Sequence, residues 1–107
     1  TIINLAPSDA ANALKDEAQI VRRHGMAYRQ IPVDFQNPTE NDFSLFVSAM
    51  EDASDAPVFV HCAANMRVSA FVYRYRTQVL GVPRDIALRD LNALWEPTGI
   101  WAEFIAR

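Results

Sequence analysis

Cysteine and glycine are scarce in this 107-residue chain, and long apolar runs are missing. The one cysteine, Cys62, excludes an intramolecular disulfide framework, and it also excludes zinc or iron–sulfur sites with four thiolate ligands. No apolar run approaches the roughly 20 residues that a membrane-spanning helix needs. Ten basic residues against 13 acidic ones give a net charge of −3, which excludes a broadly basic surface. We therefore expect neither nucleic acid nor a membrane as a partner.

Length and composition indicate a globular domain. Half of the residues are hydrophobic and 21% are charged, and the chain is long enough for one domain but too short for two. Thr1 leads directly into the apolar pair Ile2-Ile3, as if the chain began in the middle of a domain. We expect residues 1–107 to be a single domain whose parent chain has further N-terminal residues. The expected compartment is the cytoplasm, with the periplasm left open because a signal peptide would lie upstream.

The apolar residues alternate between short runs and helical spacing, which predicts the order β-α-β-α-β-α-α-α. Strands are predicted at residues 1–5, 26–33 and 58–60. Thr39 is predicted to cap the second helix together with Asp42, three residues later. Strands that alternate with helices indicate an α/β fold with a mainly parallel central sheet and helices on both faces. Arg74 and Arg76 are interpreted as the solvated face of the third long helix, and Trp95, Trp101 and Phe104 as core.

The stretch from Pro57 to Ser69 carries the features that indicate chemistry. A wholly apolar strand leads through His61 to Cys62 and a short loop, and the helix that follows carries Arg67. Loop amides and a helix N-terminus bind anions and favour a thiolate, which is a strong nucleophile. A guanidinium can bind two oxygens of one phosphate or sulfate. The stretch therefore predicts a reactive cysteine beside an oxyanion site.

The order His61-Cys62, then Arg67 and Ser69, resembles the signature loop of the cysteine-dependent protein tyrosine and dual-specificity phosphatases. Ile31-Pro32-Val33-Asp34 is similar to the segment that supplies their general acid. Within that superfamily the chain looks most like the small bacterial domains called beta-lactamase-hydrolase-like. The resemblance implies a tyrosine-phosphatase-like three-layer fold. It also implies hydrolysis of a phosphate monoester, with phosphotyrosine among the candidate substrates, without metal or organic cofactor.

The resemblance also implies a role for each site residue. Cys62 would attack phosphorus, Asp34 would protonate the leaving oxygen, Ser69 would help to expel the thiolate, and His61 would support the loop. Asp42 is the alternative general acid. The residues expected to bind a phosphorylated substrate, or inorganic phosphate or sulfate, are Ala63, Ala64, Asn65, Met66, Arg67 and Val68.

The spacing in the loop leaves two other functions open. Four residues separate Cys62 from Arg67, whereas the phosphatase signature has five. Rhodanese-like sulfurtransferases use the four-residue spacing, and in them Cys62 would correspond to the carrier of a persulfide sulfur. The loop also has no glycine, which would suit a pseudophosphatase that binds an oxyanion without turnover.

Overall fold

The structure is a computed structural model that describes residues 1–6, 17–53, 57–62 and 66–107. Within these ranges it has three strands and five helices, in the order that the sequence predicts. No helix in the described ranges is long and apolar enough to cross a membrane. The elements are β1 (Ile2–Asn4), α1 (Glu17–Arg23), β2 (Tyr28–Gln30), α2 (Glu40–Asp52), β3 (Phe59–His61), α3 (Met66–Gln78), α4 (Arg84–Asn92) and α5 (Ile100–Ala106).

The three strands form a parallel sheet in the order β2-β1-β3. Asn4 pairs with both Gln30 and His61, so the carboxyl ends of all three strands meet at one edge. This α/β fold with a parallel sheet confirms the predicted fold class. Cys62 follows β3 at this edge, and Asp34 follows the extended residues after β2.

The second strand is shorter than the predicted span of residues 26–33. β2 ends at Gln30 because β1 has only three residues to pair with. The backbone contacts nevertheless continue beyond it, since Ile31 N–H donates to Asn4 O at 2.9 Å and Val33 N–H donates to Leu5 O at 3.0 Å. These contacts hold the segment that leads to Asp34 against the centre of the sheet.

The main core lies on one face of the sheet, where it is covered by α2, α3 and α5. Trp101 and Phe104 are buried in it, as predicted, and Trp95 packs at its border. Aromatic rings from three helices fill this core, since Phe71 lies 4.9 Å from Phe104 and 5.5 Å from Phe46 between ring centroids. The large buried side chains are Ile3, Leu5, Ile31, Val33, Phe43, Phe46, Phe71, Trp101 and Phe104.

α2 begins with the capping box that the sequence predicts. The Thr39 hydroxyl accepts a hydrogen bond from Asp42 N–H at 3.1 Å, and the Asp42 carboxylate accepts one from Thr39 N–H at 3.0 Å. Two N–H groups that the helix itself cannot satisfy are thus paired. Asp42 is therefore committed to the start of the helix.

Arg74 lies in a different environment from the one that the sequence suggests. Its side chain is 3% exposed and forms two hydrogen bonds with the Glu40 carboxylate, at 2.8 and 2.9 Å. Its guanidinium also lies over the rings of Phe43, at 3.9 Å, and Phe104, at 4.7 Å. Interpreting Arg74 as part of a solvated face was wrong. Glu40 on α2 supplies the opposite charge that offsets the cost of removing the Arg74 guanidinium from water. Arg74 joins α3 to α2 and α5.

Candidate active site

Cys62 lies at the carboxyl edge of the sheet, directly after β3. It is a free, partly buried thiol that packs against the main core. The preceding peptide is fixed to the central strand, because Leu5 N–H donates to His61 O at 2.8 Å. Since neighbouring residues of a strand point to opposite faces, His61 and Cys62 point away from each other. His61 accordingly contacts α1, on the face of the sheet opposite the main core.

The predicted oxyanion loop is described only at its end. Ala63, Ala64 and Asn65 lie outside the described residues, as do residues 7–16, where the sequence predicts the beginning of the first helix. Met66, Arg67 and Val68 form the first turn of α3. The helix therefore begins four residues after Cys62.

Arg67 lies over the turn that carries Asp34. Its guanidinium carbon is 5.4 Å from the centroid of the Phe35 ring, a cation–π arrangement. Its Nε–H is buried and has no hydrogen-bond partner among the described residues. Because a buried donor without an acceptor is unfavourable, this N–H is suited to an oxyanion. The contact joins the helix after Cys62 to the segment after β2.

Asp34 is exposed and begins a tight turn. Its Oδ1 accepts a hydrogen bond from Gln36 N–H, and its backbone oxygen accepts one from Asn37 N–H, both at 2.9 Å. Such a turn is typical of aspartate, whose short side chain can bond the backbone two residues later. The turn is anchored from α5, since Trp101 Nε1–H donates to Phe35 O at 2.7 Å. Oδ2 has no such contact with the described residues.

Ser69 is buried in the first turn of α3, and its hydroxyl has two partners. It donates to Met66 O at 2.7 Å and accepts from the Trp95 indole N–H at 2.8 Å. The hydroxyl would have to rotate away from Met66 to donate to a thiolate. Trp95 is a partner that the sequence does not indicate, because 26 residues separate it from Ser69.

His61 contacts an acidic residue that the sequence analysis missed. Its Nε2 is 2.6 Å from Glu17 Oε2, although 44 residues separate the two in the chain. The other oxygen, Oε1, accepts from Asn4 Nδ2 at 3.0 Å and from the Tyr28 hydroxyl at 3.2 Å. Burial raises the pKa of Tyr28 above its ordinary value, so the phenol remains a donor. The sequence offers no signal for Glu17 beyond an acidic residue in a predicted helix.

The described residues around Cys62 suit oxyanion chemistry. In the ranges that the structure describes, no three His, Cys, Asp or Glu side chains come together as a metal site would require. The polar groups at the carboxyl edge are instead a thiol, a guanidinium and a carboxyl group. These are the groups needed for attack, for binding an anion and for proton transfer.

Comparisons with known proteins found one family model and several solved structures that are similar to this chain. The model of a family described as "DSP-PTPase phosphatase fused to NAD+ Kinase" matches residues 1–94. A crystal structure from Shewanella putrefaciens CN-32, named "Putative phosphatase (DUF442)", is 35% identical with a TM-score of 0.84, covering 98% of this chain and 69% of that one. A second crystal structure of the same name and source has 34% identity and a TM-score of 0.80, with 98% and 68% covered.

A more distant structure shares the fold. The core catalytic domain of the PP-IP phosphatase SIW14 from S. cerevisiae, in complex with citrate, has a TM-score of 0.72 at 14% identity. The match covers 98% of this chain and 64% of that one. No curated protein matches the chain significantly.

Proposed function

The chain belongs to the family of DSP-PTPase phosphatases, and from that premise we propose that it hydrolyses a phosphate monoester through a cysteinyl-phosphate intermediate. The observation that carries the proposal is the contact between Arg67 and Phe35. It joins the helix that follows Cys62 to the turn that begins at Asp34. The nucleophile, the anion-binding group and the proton donor thus belong to segments that meet at one edge of the sheet.

In the first step, the Cys62 thiolate attacks the phosphorus of the bound monoester. An S–P bond forms while the bond from phosphorus to the leaving oxygen breaks. The Asp34 carboxyl group gives its proton, held on Oδ2, to that oxygen, so the alcohol leaves neutral. The Arg67 guanidinium and the amides of residues 63–68 bind the non-bridging oxygens, where negative charge is concentrated.

In the second step, water attacks the phosphorus of the cysteinyl phosphate. The Asp34 carboxylate takes a proton from this water, and a P–O bond forms while the S–P bond breaks. Cys62 leaves as a thiolate, and inorganic phosphate is released. The Ser69 hydroxyl would stabilise the leaving thiolate after turning away from Met66. The cycle returns every residue to its starting protonation state and needs no cofactor.

Hydrolysis of aryl phosphates tests this scheme. We expect Cys62→Ser to abolish phosphate release from p-nitrophenyl phosphate while inorganic phosphate still binds. Asp34→Asn should slow release from phenyl phosphate, whose leaving group is poor, by about 10²-fold. The same variant should slow p-nitrophenyl phosphate less, because that leaving group needs less protonation. Asp52→Asn is the matched control, since Asp52 is exposed and pairs with exposed Arg29, at 2.7 Å.

The four-residue spacing between Cys62 and Arg67 favours a second candidate function, sulfur transfer. A persulfide carrier needs no general acid, so Asp34→Asn should then leave the rate unchanged. Transfer of sulfur from thiosulfate to cyanide should be measured on the same samples. If thiocyanate forms only when Cys62 is intact and no phosphate is released, the protein is a sulfurtransferase and the phosphatase proposal is wrong. Phosphate binding without either product would indicate a pseudophosphatase.

A further inference from the structure

Glu17 joins side chains from all three strands on the face of the sheet opposite Cys62. Its carboxylate accepts hydrogen bonds from Asn4 of β1 at 3.0 Å and from Tyr28 of β2 at 3.2 Å. On β3 it contacts His61, at 2.6 Å. An ionised carboxylate can only accept hydrogen bonds, so this contact favours the tautomer of His61 that carries a proton on Nε2. One acidic side chain therefore fixes the orientation of the imidazole.

The surroundings of this contact are largely apolar and partly shielded from water. The side chains of Glu17 and His61 are only 13% and 27% exposed. Both line a cleft of about 350 Å³ with Ile2, Ile20, Val21 and Phe59. Hydrogen bonds are electrostatically stronger in such surroundings than in water, and an unpaired polar group there is costly. The His61 side chain is thus held firmly from the α1 side.

His61 is also held through its backbone. Its carbonyl accepts from Leu5 N–H at 2.8 Å, which fixes the peptide that leads into Cys62. The Glu17 carboxylate holds the ring of the same residue. With ring and backbone both held, the end of β3 that leads into Cys62 is fixed at two points. Removing the carboxylate would take away the hydrogen-bond partner of the ring, whereas the backbone contact would remain.

We propose that Glu17 is a positioning residue that acts through His61 to set the position of the Cys62 sulfur at the carboxyl edge of the sheet. The inference rests on the proposed function, in which this sulfur must attack phosphorus in line. An error of about 1 Å in the position of a reacting group can lower a rate by about 10²-fold. Glu17 touches neither the substrate nor the sulfur, so its effect should fall on kcat rather than on binding.

Glu17→Ala and Glu17→Gln test the proposal, with p-nitrophenyl phosphate as substrate. We expect Glu17→Ala to lower kcat by about tenfold or more, with KM within about twofold of the wild type. Glu17→Gln keeps the shape and one acceptor oxygen, so its kcat should lie between that of the wild type and that of Glu17→Ala. This isosteric variant also carries the test if Glu17→Ala fails to fold. Thr39→Ala is the control, because it weakens the cap of α2 without touching the sheet.

Two further measurements do not depend on phosphatase activity. The first is the rate at which iodoacetamide alkylates Cys62, which we expect to fall by about fivefold in Glu17→Ala as the sulfur leaves the position that favours its thiolate. The second is the ¹⁵N NMR spectrum of the His61 ring. The signal of a proton fixed on Nε2, expected in the wild type, should be lost in Glu17→Ala. If the wild type releases no phosphate, the proposed function fails, and these two measurements still decide the role of Glu17.

Two outcomes would overturn the positioning role. One is an unchanged kcat and an unchanged alkylation rate in both Glu17 variants. The other is a loss of rate that Thr39→Ala reproduces at the same loss of thermal stability, because the effect would then be general destabilisation.

Discussion

At the scale of single residues, Arg67 rests on a cluster of three aromatic side chains. Its guanidinium carbon lies 5.4 Å from the Phe35 ring centroid, and that ring lies 5.4 Å from Trp101 and 6.3 Å from Trp95. The two indoles also donate hydrogen bonds, Trp101 to Phe35 O and Trp95 to the Ser69 hydroxyl. The cluster thus fixes both the turn after Asp34 and the first turn of α3, to which Arg67 belongs.

Phe35→Leu should weaken the anion site without removing any polar group. The leucine fills part of the space but offers no aromatic face, and a cation–π contact of this kind contributes roughly 0.5–2 kcal/mol. We expect kcat/KM for p-nitrophenyl phosphate to fall by about tenfold, since about 1.4 kcal/mol corresponds to that factor. Steady-state kinetics and inhibition by inorganic phosphate would measure the change.

Leu45→Ala is the control for Phe35→Leu, because Leu45 is an apolar side chain half exposed on α2. It should leave kcat/KM near the wild-type value. Phosphate inhibition as strong in Phe35→Leu as in the wild type would show that the ring does not hold Arg67 for anion binding.

The residues of the site differ in how far the sequence reveals them. Cys62 and Arg67 are visible because a strand, a loop and a helix start follow one another within a few residues. Glu17 and Trp95 are not visible, because their partners lie 44 and 26 residues away. Such contacts depend on how each helix is rotated about its axis. The apolar pattern shows which face of a helix is buried, but it does not show which polar atoms come within hydrogen-bond distance.

At the scale of elements, the sequence predicts the order of strands and helices and the start of α2, but not the end of β2. Apolar periodicity reports which face is buried, and capping residues such as Thr39 mark where a helix begins. The end of a strand depends instead on its partner. β2 is short because β1 is short, although the chain remains extended through Val33. No local pattern in residues 26–33 contains that information.

The pair between Glu40 and Arg74 links two helices of the core. Arg74 is almost completely buried, whereas the Glu40 side chain is 57% exposed. The hydrogen bond from Arg74 holds the pKa of Glu40 below its ordinary value of 4.5. A depressed carboxyl pKa stabilises the folded state above the pKa of the unfolded chain, and this contribution is lost as the pH falls through the folded value.

Glu40→Gln should therefore destabilise the fold in a pH-dependent way. Near neutral pH we expect a loss of about 1 kcal/mol in the free energy of unfolding, because solvent screens the exposed carboxylate while the buried Arg74 loses its opposite charge. The difference from the wild type should shrink as the pH falls below 4.5, the ordinary pKa of Glu40. Urea denaturation of the wild type and of Glu40→Gln, from neutral pH to below pH 4.5, would measure this difference in the free energy of unfolding.

Asp52→Asn serves as the comparison for this prediction, because the pair of Asp52 with Arg29 is exposed on both sides. It should cost only a few tenths of a kcal/mol, roughly the value for a surface ion pair. If Glu40→Gln and the wild type differ by the same amount at every pH, the Glu40 carboxylate does not stabilise the fold through its charge.

At the scale of the whole molecule, the parallel topology gathers the candidate site. All described strand pairs are parallel, so the residues that follow the strands reach the same edge. Cys62 and Asp34 come to this edge from β3 and β2, on either side of β1. The sequence predicts this parallel arrangement, because strands that alternate with helices favour parallel pairing. Glu17 and His61 meet on the opposite face of the sheet.

An oxyanion that binds at this edge should stabilise the whole fold. A ligand that binds only the folded state raises the free energy of unfolding by about 2.7 kcal/mol at a concentration 100 times its Kd. For a domain of this size, each 1 kcal/mol corresponds to a rise of roughly 4–8 °C in Tm. We therefore expect inorganic phosphate or tungstate to raise the Tm of the wild type and of Cys62→Ser, measured by differential scanning calorimetry.

Arg67→Ala should abolish most of this rise in Tm, because it removes the guanidinium whose Nε–H is buried without a partner among the described residues. Arg76→Ala is the matched control, since Arg76 pairs with Asp90 of α4, at 2.7 Å, and should leave the ligand-induced rise intact. The comparison uses the rise in Tm and not Tm itself, so a destabilised variant remains informative. An equal rise in wild type and Arg67→Ala would mean that the oxyanion binds elsewhere, and the anion-binding role of Arg67 would have to be abandoned.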